Sequence, residues 1–149
     1  MAIVQKLRST VPSVGATTTA DQVVGEADQA GRVTSVSYTP EAAITGANSP
    51  ASRTFTLVNK GQDGTGSTTV ATLALVSGVD CSQFDEKAVT LSSTASDRVV
   101  AAGDVLLWVS TAVGGTGLAD PGGLVQVEIG SASYTDVASD SGTIAQTQG

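Results

Sequence analysis

A chain of 149 residues is a natural length for one domain. Its 14 acidic against 7 basic residues leave a net charge of −7, which repels a phosphate backbone and argues against direct nucleic-acid binding. It has no histidine and one cysteine, so an imidazole-based triad and an internal disulfide are both excluded.

Valine and threonine dominate, glycine is frequent, and the aromatic residues are Tyr38, Phe55, Phe84, Trp108 and Tyr134. This composition suits strands rather than exposed helices. Lys6 and Arg8 precede no sustained apolar stretch, so the start fits neither a signal peptide nor a membrane span, and no membrane partner is expected. Residues 9–21 are small and polar with isolated valines, and with the residues before them they predict an N-terminal arm over 1–20.

Residues 22–26 read as a weak first strand, closed by a turn at 28–31. Residues 32–39 form the next strand, ending at Pro40, and the two are expected to pair as a hairpin. In 53–59, Phe55 and Leu57 share one face and Thr54, Thr56 and Val58 the other. The glycine-rich turn 60–67 leads into 68–76, where Ala71, Leu73 and Leu75 share a face, which predicts a second hairpin. Residues 77–85 read as a loop, and 82–88 hold at most one helical turn. Residues 87–92 alternate through Val89 and Leu91, and 94–98 turn the chain again. Val99 and Val100 begin a strand that 101–104 interrupt. Residues 105–110 read as a strand buried on both faces, with Trp108 in the core. After a glycine loop at 114–123, Val125, Val127 and Ile129 alternate with Gln126 and Glu128 as a half-buried strand. Residues 131–149 predict a C-terminal arm. The expected fold is all-β: a single antiparallel β-sandwich or barrel-like domain over 21–130 with extended N- and C-terminal arms.

The chemical motifs are weak. The run Gly61-Gln62-Asp63-Gly64-Thr65-Gly66-Ser67-Thr68 lacks the lysine of a phosphate loop and precedes a β run rather than a helix. Asp120-Pro121-Gly122-Gly123 does not have EF-hand spacing and is explained as a tight turn. Asp85 and Glu86 are adjacent, but adjacency supplies neither a concave site nor split pKa values. Near Asp80 and Asp85, Cys81 is disfavoured as a thiolate. The sequence therefore predicts no catalytic residue, no metal and no cofactor.

Several segments together carry a resemblance. They are Gly31-Arg32-Val33-Thr34-Ser35-Val36-Ser37-Tyr38-Thr39-Pro40, Ile44-Thr45-Gly46-Ala47-Asn48, Arg53, Leu57-Val58-Asn59-Lys60-Gly61 and the strand from Ala71 to Leu75. Phe84-Asp85-Glu86-Lys87, Ala101-Ala102-Gly103-Asp104 and Gly117-Leu118-Ala119-Asp120-Pro121-Gly122-Gly123 continue it. Over residues 20–130 the chain resembles the head decoration, or capsid cement, proteins of tailed bacteriophages. The resemblance implies a non-enzymatic virion protein, made in the host cytoplasm, that stabilises the outer capsid surface by binding the major capsid protein. On that reading the N-terminal arm orders on the shell. Lys6 and Arg8 would meet an acidic capsid patch, and Val4, Leu7, Val11 and Val14 would supply apolar contacts. A homotrimer is the expected assembly, since three linked contacts raise avidity by about 10²–10⁴. The alternative is a head-fibre or tail module binding a host carbohydrate through Gln62, Asp63 and Trp108, although aromatics are scarce. An unfamiliar enzyme and an adhesion domain complete the readings.

Overall fold

In the computed structural model, which describes residues 3–131, ten strands run in chain order. They are β1 (Ile3–Val11), β2 (Ala20–Glu26), β3 (Gly31–Pro40), β4 (Ser52–Asn59), β5 (Thr68–Ala74), β6 (Lys87–Ala88), β7 (Thr90–Leu91), β8 (Val99–Val100), β9 (Val105–Val113) and β10 (Gly123–Ser131). One 3₁₀ turn, Ala95–Arg98, precedes β8. One sheet has the order β1-β10-β3-β6, with β8 also pairing with β3, and the other has the order β2-β9-β4-β5-β7. All these pairings are antiparallel. The result is an all-β sandwich with the character of a half-barrel.

The period-2 pattern fills the space between the sheets. Val125, Val127 and Ile129 of β10 face Phe55 and Leu57 of β4 and Leu106 of β9, and all six are fully buried. At the centre Trp108 stacks on Phe55 and Tyr38 with ring centroids 5.3 and 5.6 Å apart, and Tyr38 and Phe55 meet at a tilt with centroids 4.8 Å apart. Each such pair adds about 0.5–1.5 kcal/mol beyond its buried area. The predicted hairpin at the glycine-rich turn is present as β4 and β5.

Four expectations change. The N-terminal arm is instead an edge strand: β1 pairs with β10 from Ile3 to Val11. Small polar residues dominate the segment as a whole, but Leu7 packs on the core and Val11 is 4% exposed, and β10 offers a ladder that needs a neighbour. Second, β2 and β3 do not form a hairpin. β2 pairs with β9 and β3 with β10, and Ala27 is held by Asp104 and Gly103 where the chain crosses between sheets. Third, β9 is not buried on both faces: Leu106, Trp108 and Ser110 are buried, while Val105, Leu107 and Val109 are half-buried. Fourth, the strand expected over 87–92 is divided between the two sheets, β6 pairing with β3 and β7 with β5. Val89, at the crossing, is buried and donates its N–H to the Val36 carbonyl at 2.8 Å. All of the expected C-terminal arm beyond Ser131 lies outside the described residues.

The crossing strand joins the sheets on one side. On the opposite side, β1 and β2 are bridged by side chains. Gln5 Nε2 donates to the Glu26 carbonyl at 3.0 Å, Gln5 Oε1 accepts the Asp28 N–H at 2.7 Å, and Gln22 Nε2 donates to the Thr10 carbonyl at 3.4 Å.

Candidate functional site

Arg53 opens the alternation of β4, two residues before Phe55 and four before Leu57, so its side chain projects inward with theirs and is fully buried. A buried guanidinium needs its donors satisfied. Its Nε donates to the Leu118 carbonyl at 2.5 Å and its Nη1 to Ser110 Oγ at 2.8 Å. Its Nη2 donates to the carbonyls of Gly15, Ala16 and Thr18 at 2.7, 3.2 and 3.0 Å.

Ser110 passes the network on, donating from Oγ to Asp120 Oδ2 at 2.8 Å. Asp120 Oδ1 accepts from Tyr38 Oη at 2.6 Å and from the Gly122 N–H at 2.9 Å. Val14 and Asp120 also exchange backbone hydrogen bonds of 2.8 and 3.0 Å. Gly117, at φ 68°, lets the loops approach, since a Cβ there would collide with the Ala16 carbonyl. Burial lowers the pKa of Arg53, and the Asp120 charge opposes that shift. Burial pushes the Tyr38 phenol well above its ordinary value, with the hydrogen bond to Asp120 adding to the effect. Burial likewise raises the Cys81 thiol, with Lys87 opposing, so Cys81 stays protonated near neutral pH.

These groups face one another and the loop carbonyls. Beside them Val11, Pro12, Val14, Ala20, Gln22 and Trp108 enclose a cleft of about 20 Å³, room for roughly one water molecule. The arrangement is suited to fixing loops rather than to admitting a substrate. Among the described residues no three His, Cys, Asp or Glu side chains are grouped to hold a metal. No helix among them is long and apolar enough to cross a membrane.

The structure scatters the predicted contact residues. Lys6 and Arg8 lie on the outer face of the first sheet, each tied to its cross-strand partner. Lys6 Nζ is 3.1 Å from Glu128 Oε2, and Arg8 Nε donates to Gln126 Oε1 at 3.1 Å. Leu7 and Val11 face the core, which removes them as free apolar contacts, and Val14 is half-buried in its bridge to Asp120. The Val4 side chain lies outside the described set. Trp108, expected to stack on sugar in the alternative reading, is 2% exposed and unavailable for that contact. Gln62 donates to the Ala102 carbonyl, and Asp63 accepts from Thr65 within its own turn.

The outer face of the second sheet is different. Val23, Leu107 and Val58 stand in cross-strand register across β2, β9 and β4, with Val109 beside Thr56 in the next row. At the loop end, Phe84 is 71% exposed and holds φ at 59°, a conformation that costs a bulky residue about 1–3 kcal/mol. Sequence reasoning passed over the network of Arg53, Ser110, Asp120 and Tyr38 and the exposure of Phe84. The spacing of Arg53 from Phe55 and Leu57 is the one signal that placed a charge on an inward face.

No family model matches the chain, and no curated protein matches it. One solved structure, that of infectious bursal disease virus Gx strain, is similar over 87% of this chain and 33% of that chain, with a TM-score of 0.42 and 14% identity. The chain thus spans about a third of that protein's length.

Proposed function

We propose that this chain is a structural virion protein that decorates a phage capsid, binding major capsid protein subunits from the outer surface without catalysis. One observation carries the reading: where the residues of the sequence resemblance fall in the fold. Tyr38, Arg53 and Asp120 supply three of the four members of the buried network, and Asn59 and Asp104 form a second clasp, Nδ2 to Oδ2, at 2.9 Å. The resemblance therefore rests on the side chains that shape this scaffold, beyond short runs of valine, threonine and glycine.

A cement protein needs a stiff body that presents surfaces. The network supports such a role, because it locks residues 15–18 and 118–122 onto both sheets. With residues 3–11 built into the sheet, the grip passes from an N-terminal arm to the loop end and the outer faces. A homotrimer around a capsid three-fold axis remains the proposed assembly. The aliphatic row of Val23, Leu107 and Val58 suits copy-to-copy contact, because acidic chains repel one another elsewhere.

Cryo-electron microscopy of virions carrying this gene tests the proposal. Knobs on the shell that fit the sandwich support it, and trimeric knobs at three-fold positions support the assembly as well. Density confined to the tail or a fibre overturns it.

A further inference from the structure

We propose that Phe84 is an aromatic anchor that inserts into an apolar pocket rimmed by basic side chains on the capsid subunit this chain decorates. The inference rests on the decoration reading and names the contact within it.

The chain has five aromatic residues, and the three others among the described residues, Tyr38, Phe55 and Trp108, pack together in the core. Phe84 alone among them points outward. Its backbone sharpens the contrast. Seven described glycines have positive φ, and Phe84 is the one described residue of another type that does. The turn calls for glycine or asparagine, which adopt this conformation at little cost. Fold stability therefore gives no account of a phenylalanine here, whereas a binding contact does.

The ring is also presented on a fixed base. The Phe84 N–H donates to the Pro40 carbonyl at 2.9 Å, Gln83 Nε2 to the Glu41 carbonyl at 3.1 Å, and the Asp85 N–H to the Ser82 carbonyl at 3.2 Å. A side chain with two rotatable bonds on a braced turn loses little freedom when it docks.

The surroundings give the chemistry of the partner. Glu41, Asp80, Asp85 and Glu86 are exposed on the same loop or on the strand end that it bonds, against a half-buried Lys87. Asp80 is steadied by the Gly46 N–H at 2.8 Å, and Glu86 by Ser37 Oγ at 2.8 Å. An apolar centre within an acidic rim complements a hydrophobic pocket bordered by lysine and arginine.

The test measures binding of the full chain to expanded shells assembled without it, for wild type, Phe84→Gly and Phe84→Asn. Both replacements accept the backbone conformation, so thermal midpoints should hold or rise. Shell affinity should fall about thirtyfold, the effect of losing one aromatic hot spot. Glu41→Gln with Asp85→Asn should slow association and flatten its salt dependence. Undiminished binding by Phe84→Gly, with wild type binding normally, overturns the anchor and leaves the decoration reading standing. Failure of both variants to fold also overturns it, by making Phe84 structural. Failure of wild type itself to bind shells removes the decoration reading and the anchor with it.

Discussion

At the loop end of the sandwich, the long connections around 12–19 and 114–122 run inward far enough for their carbonyls to meet a buried arginine. At the opposite end the turns at 27–30, 60–67 and 101–104 satisfy one another. Asp104 Oδ2 accepts from Asn59 Nδ2 at 2.9 Å and from the Ala101 N–H at 2.8 Å, while Asn59 Oδ1 accepts the Gly61 N–H at 2.8 Å. Gly61 and Gly64 supply the positive φ that the turn requires. The difference shows what the path of a loop demands. A tight turn needs a short polar side chain or two, whereas a loop folded over the core leaves several carbonyls that one multi-donor cation gathers at once.

The largest test of this contrast is Arg53→Met. Removing the guanidinium takes the nearby positive charge from the buried Asp120 and the donors from several loop carbonyls, and should cost about 3–5 kcal/mol in a urea titration. Asp120→Ala should follow at about 2–3 kcal/mol, since it leaves Tyr38 and Ser110 without an acceptor. A double-mutant cycle between Arg53 and Asp120 should show strong coupling through Ser110. At the turn end, Asp104→Ala should cost about 1–2 kcal/mol, the scale of its partly buried hydrogen bonds. Lys6→Ala, which breaks only a surface ion pair, should change the midpoint by less than about 1 kcal/mol.

Alkaline pH sharpens the comparison, because the two acids shifted upward, Tyr38 and Cys81, lie toward the loop end. Folded Cys81 and Tyr38 hold their protons above the ordinary values of 9.0 and 10.0, and the unfolded chain releases them there. Their contribution is thus complete below pH 9 and is lost progressively as pH rises beyond it. Stability measured against pH should decline in this window, and Tyr38→Phe with Cys81→Ala should flatten the decline.

Much of the framework was legible in the sequence. Period-2 alternation marked the inward residues of β4 and β10, and the glycine-rich turn identified the β4–β5 hairpin, because both signals are local. The partner of β2 was not legible: a turn at 28–31 is equally compatible with pairing and with a crossing between sheets. β1 was hidden for a related reason, since its sparse apolar residues become adequate only against the ladder that β10 provides. The site was the least legible part. Arg53 meets acceptors 35 to 65 residues away in sequence, so no window along the chain contains them. Phe84 reads as a loop residue, and only the folded backbone shows what its conformation costs.

The division of residues 87–91 between the two sheets gives the molecule something like the spine of a book, with Gln5 and Gln22 as its clasp. A load that parts the covers meets continuous chain along the spine. At the clasp, residues 12–19 tie β1 to β2 at the loop end, and along the strands the load meets three side-chain hydrogen bonds among the described residues. Each such bond is worth about 0.5–1.5 kcal/mol, so gaping begins between β1 and β2 at the end away from residues 12–19, where Gln5 holds Glu26 and Asp28.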